Sequence, residues 1–112
     1  MRKNNYYYQL IAQLLDEEID SNVHTDLYYT KKIAESYGNT YTDIGNVNKY
    51  LRDFAEEVGV ELEERNYTNK YYLREIAKIL SEDELEHNTE NYYLRVILAY
   101  FEGANEEEED VE

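Results

Sequence analysis

A tyrosine returns every 21 or 22 residues along this chain, and any fold it adopts has to give those tyrosines equivalent places. The segment 69–77, Asn-Lys-Tyr-Tyr-Leu-Arg-Glu-Ile-Ala, matches 48–55, Asn-Lys-Tyr-Leu-Arg-Asp-Phe-Ala, once one extra Tyr is allowed. The same frame recurs where Tyr6-Tyr7 leads to Ile11-Ala12, Tyr28-Tyr29 to Ile33-Ala34, and Tyr92-Tyr93 to Ile97-Leu98. The anchors Tyr7, Tyr29, Tyr50, Tyr72 and Tyr93 lie 22, 21, 22 and 21 residues apart, each with an apolar partner four positions later. That is an internal repeat.

An offset of four puts each Tyr and its Ile or Phe on one helical face, and the flanking apolar residues widen that face into a stripe. In the fourth unit the stripe is Tyr72, Leu73, Ile76, Ala77 and Leu80. Thr25, Thr68 and Thr89 each precede an anchor by four residues and are followed by Asp26, Asn69 and Glu90, the pattern of an N-cap and a first turn. The third unit starts at Thr42 or at Asn46. Gly38, Gly59 and Gly103 fall where left-handed C-terminal residues are wanted. The spacing predicts helices near 5–19, 26–37, 43–58, 69–80 and 90–102.

With a period of 43 residues per pair, the expectation is an all-α fold: five antiparallel-connected helices from a ~21.5-residue internal repeat, as a helical-hairpin bundle or short solenoid. One helical domain covers 1–104, and 105–112, which carries no core material, reads as a disordered acidic tail. Helix 5 departs from the others. Tyr92-Tyr93-Leu94 and then Val96 to Phe101 are apolar nearly all round, so helix 5 either closes the globule or forms the seam of a homodimer. The alternation in Val58-Gly59-Val60-Glu61-Leu62 is open to a short extended segment.

The chain has 112 residues, 26 Asp and Glu against 11 Lys and Arg, and a formal charge of −15. Free nucleic acid and anionic membrane are poor partners for such a surface. Without Cys there is no disulfide scaffold, thiol nucleophile or thiolate zinc site. No signal peptide or membrane span is legible, so a cytoplasmic protein is expected.

Motifs that carry chemistry are sparse. His24 and His87 sit in expected inter-helix loops and read as solvated residues, no serine occupies a nucleophile-elbow frame, and the carboxylate clusters read as solvated faces, so no catalytic residue is expected. Asp16-Glu17-Glu18-Ile19-Asp20-Ser21-Asn22 lacks the alternating oxygen ligands, central Gly and terminal Glu of a calcium loop, so neither metal nor cofactor is expected. Asn66-Tyr67-Thr68 fits a glycosylation sequon, but Thr68 is better used as a cap. Residues 29–38, followed by Thr42 to Leu51, look like a helix-turn-helix, with Asn46, Asn48, Lys49 and Arg52 on the would-be recognition helix. Its turn is several residues longer than usual, and 15 excess negative charges oppose phosphate contact.

The charge itself carries the remaining reading. Residues 106–112 hold six carboxylates, and removing them takes −15 only to −9, so the folded body is acidic in its own right. Five helices packed at about 9–10 Å span on the order of 40 Å, a length over which duplex DNA carries roughly 25 phosphates. The chain has 26 carboxylates, which permits a rod whose potential imitates nucleic acid. In size, acidity, aromatic content and Glu-rich end, the protein resembles phage-encoded DNA mimics, the anti-restriction and anti-CRISPR inhibitors among them. The resemblance rests on composition and on 106–112 and carries no residue over. It implies an inhibitor that occupies the nucleic-acid site of a basic host protein.

The carboxylates expected to stand in for phosphates are Asp16, Glu17, Glu18 and Asp20, then Glu56, Glu57, Glu61, Glu63 and Glu64, and finally Glu82, Asp83, Glu84 and Glu86. The doublet tyrosines one step off the core face add rings and hydroxyls as contact anchors, while most tyrosines pack in the core or at its boundary with the hydroxyl reaching water. The alternatives are a helical protein-interaction adaptor and a helix-turn-helix regulator.

Overall fold

A computed structural model describes residues 2–16 and 18–110, with the backbone course alone for 105–110. Among the described residues the chain is five α-helices and no strand: α1 Asn4–Leu15, α2 Asp26–Glu35, α3 Val47–Val58, α4 Asn69–Ser81 and α5 Glu90–Asp110. The threonine caps are as expected. Thr25, Thr68 and Thr89 accept the N–H of Tyr28, Tyr71 and Tyr92, each at 3.1 Å. Asn46, not Thr42, caps α3, accepting the Lys49 N–H at 2.8 Å.

Two helix ends differ from expectation. The first helix stops at Leu15 rather than near 19, with Asp16 already extended. The run Asp16-Glu17-Glu18 explains this, because carboxylates at a C-terminus oppose the helix dipole. The fifth helix passes through Gly103 to Asp110. The expected acidic tail, 105–112, lies outside the described side chains, and its last two residues lie outside the described residues altogether. Gly59 does end α3, at φ 104°, with the Val60 N–H turned back to the Ala55 carbonyl at 2.9 Å.

The direction of the helices needs correction: they run parallel, not antiparallel. Asn5 Nδ2 donates to the His24 carbonyl and to Asp26 Oδ1 at 2.9 and 2.7 Å, which sets the first turn of α1 beside that of α2. Asn48, 43 residues on, does the same to the Tyr67 carbonyl and Asn69 Oδ1, both at 2.8 Å. Arg74, in the first half of α4, reaches the Leu85 carbonyl just ahead of α5. The connectors are eight to eleven residues long. At about 3.3 Å per residue they can return the length of a twelve-residue helix, about 18 Å, where a hairpin needs only a tight turn. Each ~21.5-residue repeat is therefore one helix and its return.

Each helix packs on two others: α1 on α2 and α5, α3 on α2 and α4, and α5 on α4 and α1. The five thus close into a ring, 43 × 36 × 29 Å overall, in place of the expected rod. Asn91, 43 residues after Asn48, makes the closing bonds to the Arg2 carbonyl at 2.8 Å and Asn4 Oδ1 at 3.1 Å. Of the two expected roles of helix 5, closing the globule is the one this packing uses.

The core fills the ring. Tyr29, Tyr50, Tyr72 and Tyr93 are buried with Ile33, Phe54, Ile76 and Ile97 and with the alanines at 34, 55 and 77. In α1 the frame holds at Ile11 and Ala12, but Tyr8 is the buried ring and Tyr7 only half-buried. Tyr8 occupies the slot that Leu51, Leu73 and Leu94 fill in later units. The returns lay Ile19, Leu62 and Leu85 on the core, and the alternation at 58–62 becomes an irregular return with Val60 buried, not a strand.

The hydroxyls of the four buried anchors do not reach water as expected; each meets the loop five residues upstream. Tyr50 Oη accepts the Gly45 N–H at 2.8 Å, Tyr72 Oη that of Tyr67 at 3.4 Å and Tyr93 Oη that of Asn88 at 2.7 Å. Tyr29 Oη lies 3.3 Å from His24 Nδ1. Glycine at 45 lets this contact form without a shift of the ring, since a Cβ there would stand 3.1 Å from Tyr50. Buried tyrosine thereby satisfies its polar tip and fixes the return in one step.

Candidate protein-interaction surface

Parallel helices carry all their C-termini to one end of the ring, and that end collects carboxylates from separate parts of the sequence. Asp16 and Glu18 follow α1, Glu56 and Glu57 lie in the last turn of α3, and Glu82, Asp83 and Glu84 follow α4. All of these are exposed except Asp16, which is half-buried. Glu17 lies outside the described residues. Asp20, Glu61, Glu63, Glu64 and Glu86 are exposed too, but part-way along the returns toward the other end, where the Asp20 N–H meets Tyr28 Oη at 2.7 Å.

Few cations temper this end. Eight of the eleven, Arg2, Lys3, Lys49, Arg52, Arg65, Lys70, Arg74 and Arg95, precede a helix or lie in its first half. Among the candidates, Glu56 pairs with Arg52 at 3.2 Å, Glu63 with Arg65 at 3.8 Å and Glu84 with Lys78 at 3.7 Å. Side-chain charge is therefore sorted along the ring axis in the same sense as the helix dipoles, which add because the helices are parallel. Carboxylates at C-termini normally cost about 0.3–1 kcal/mol each, so this sorting works against folding.

Local geometry holds the clusters in short turns. Asp16 Oδ1 accepts the Glu18 N–H and Asp20 Oδ1 the Asn22 N–H, both at 2.9 Å. Glu82 takes a left-handed conformation at φ 59° in the C-cap position that Gly59 holds after α3.

The doublet tyrosines off the core face are not free anchors. Arg2 stacks on Tyr6 at 4.8 Å, Lys32 lies over Tyr28 at 5.7 Å and Arg95 over Tyr92 at 5.9 Å, while Tyr71 stacks on Tyr67 at 4.1 Å. The rings that do stand at the acidic end are Tyr37 and Tyr100, outside the doublet pattern. Tyr100 is 43% exposed. Periodicity selects rings by their relation to the core and is blind to side chains that gather only in the folded ring.

The would-be recognition helix is occupied by structure. Asn46 caps α3, Asn48 bonds α4, Lys49 pairs with Asp53 at 3.1 Å, and Arg52 donates to the Arg65 and Glu63 carbonyls at 2.9 and 3.0 Å. Since α2 and α3 lie in a parallel ring, they do not form the steep crossing of a helix-turn-helix.

His24 and His87 are exposed, the first beside Tyr29 and the second 3.1 Å from Lys70 Nζ. Among the described residues no group of three His, Asp or Glu is placed to hold a metal ion, and no helix is long and apolar enough to cross a membrane. Comparisons with protein-family models, curated proteins and solved structures find no match for this chain.

Proposed function

We propose that the protein is an acidic DNA mimic: its C-terminal end docks in the nucleic-acid site of a basic DNA-binding protein or nuclease, of restriction or CRISPR type, and blocks it. The observation that carries this reading is the axial sorting of charge. Carboxylates following α1, α3 and α4 gather at the end where five parallel dipoles are negative, and cations are withdrawn to the other, although this arrangement costs stability. A field of that kind steers a basic partner and makes association fast and salt-dependent. Phosphate-binding sites accept carboxylates through the same charge-assisted bonds.

The test immobilises the full chain, captures bacterial proteins and elutes with rising salt, with and without excess duplex DNA. Retention of DNA-binding proteins that duplex DNA displaces supports mimicry. Partners indifferent to both DNA and salt move the weight to an adaptor role, and direct capture of the duplex overturns mimicry. Glu82→Gln with Glu84→Gln is expected to weaken a captured partner and flatten its salt dependence.

A further inference from the structure

Phosphate mimicry makes no use of the aromatic cluster at the acidic end. Tyr37 follows α2, Phe54 lies in α3, and Tyr100 and Phe101 lie in α5, so three helices meet there. The Tyr37 and Phe54 ring centroids are 5.6 Å apart, Phe54 stacks on Phe101 at 6.5 Å, and Tyr100 stands edge-on to Phe101 at 5.2 Å. Phe54 is buried and anchors the group, whereas Tyr37 and Phe101 are half-buried and Tyr100 is exposed. Burial raises the Tyr37 hydroxyl above its usual range, with further contributions from Tyr100 and Glu57. Glu57 is exposed on α3 three residues after Phe54, and the exposed Glu102 adjoins Phe101 in sequence, while Glu56 is held by Arg52.

An exposed ring on a rigid aromatic base, bordered by carboxylates, matches one side chain better than any other. Arginine stacks its planar guanidinium on an aromatic face and presents a fork of donors to a carboxylate, while lysine is a strongly hydrated point charge. Arginine is also the residue that nucleic-acid sites use for bidentate phosphate contact. A partner surface complementary to the acidic end is therefore rich in the group this cluster fits.

We infer that Tyr100, edge-on to Phe101 in the cluster that Phe54 and Tyr37 complete, is an arginine anchor: it stacks on an arginine of the basic partner while Glu57 receives the guanidinium. This rests on the acidic end being the docking surface. It adds a preference for arginine over lysine that charge alone does not provide, and it gives the interface a central aromatic contact of the kind that dominates binding.

The test titrates the full chain at low salt with two probes of equal charge, octa-arginine and octa-lysine, for wild type, Tyr100→Phe and Tyr100→Ala, while the ring protons are followed by NMR. Octa-arginine is expected to bind about two- to fivefold tighter than octa-lysine, the range of an exposed cation–aromatic contact. Its shifts should centre on Tyr37, Tyr100 and Phe101, and the preference should survive in Tyr100→Phe and disappear in Tyr100→Ala. Equal binding of the two peptides by wild type, or an unchanged ratio in Tyr100→Ala, overturns the anchor but leaves the acidic docking end standing. Failure of both peptides to bind overturns both. The wild-type comparison decides the matter even if Tyr100→Ala does not fold.

Discussion

The N-terminal end of the ring is tied helix to helix, whereas hydrogen bonds at the C-terminal end stay within one unit. Asn5, Asn48 and Asn91 bridge first turns, and the anchor hydroxyls hold the returns. At the other end Ser36 Oγ donates to the Ile33 carbonyl, Asn39 to the Ala34 carbonyl, and Glu18 to Asp16, all between residues at most five apart. One end specifies the fold. The other carries repelling charge and half-exposed rings, which the first end is built to tolerate.

This contrast breaks most visibly in alkali. Burial holds the Tyr8 and Tyr29 hydroxyls above the ordinary tyrosine range, with Glu90 and Asp26 adding to Tyr8, and Tyr28 and Asp26 to Tyr29. The unfolded chain loses these protons first, near pH 10. Stability is therefore fully present below about pH 10 and falls as pH rises beyond it, with Tyr8 and Tyr29 ionising only on unfolding. A titration of tyrosinate absorbance against circular dichroism checks this: smooth ionisation of all fourteen tyrosines ahead of unfolding would contradict it.

Removing one anchor comes next. Tyr72→Ala empties a fully buried ring site and is expected to cost about 3–5 kcal/mol in denaturant unfolding. Tyr93→Phe keeps the ring but strips the Asn88 N–H and Glu86 carbonyl of their partner, so about 1–3 kcal/mol is expected. If Tyr93→Phe proved neutral, the hydroxyl ladder would have no part in holding the returns.

At the acidic end the sign should reverse. Glu82→Gly relieves a left-handed L-residue and removes a carboxylate from a helix C-terminus, and is expected to stabilise by about 1 kcal/mol. A loss of melting temperature would mean that Glu82 makes a contribution its exposure hides. The smallest effect belongs to Lys49→Ala at the N-terminal end. Its pair with Asp53 joins a largely exposed lysine to a shielded carboxylate along one helix, and about 0.3–0.5 kcal/mol is expected from a double-mutant cycle.

Much of this was legible in the sequence because it is local. Thr25, Thr68 and Thr89 announce their helices, and a Tyr with an apolar residue four later marks a buried face. The helix direction was legible in principle: an anchor repeated at equal spacing near every helix start belongs at one end of a parallel array, since antiparallel helices would alternate it. Connector length said the same. The Asn5, Asn48 and Asn91 series was visible as spacing, but its closing partners, Arg2 and Asn4, stand at the opposite end of the chain and have no sequence signal.

For the candidate surface the division is similar. Sequence alone identified the exposed carboxylates, because runs of Glu and Asp at helix ends have no core to enter. It misjudged the tyrosines, assigning contact roles to doublet rings that the chain's own Arg2, Lys32 and Arg95 cover. Tyr37 and Phe101 lie 64 residues apart in sequence, and both reach Phe54 only in the folded ring.

By itself, then, the sequence determined five helices, their starts, their buried faces and a body that stays acidic without its last residues. These follow from period, capping chemistry and charge count, which act over a few residues. Tertiary structure alone decided that the helices run parallel and close into a ring. That closure aligns the helix dipoles and sorts clusters 25 or more residues apart onto one end, because direction and closure depend on which first turns bond across the chain.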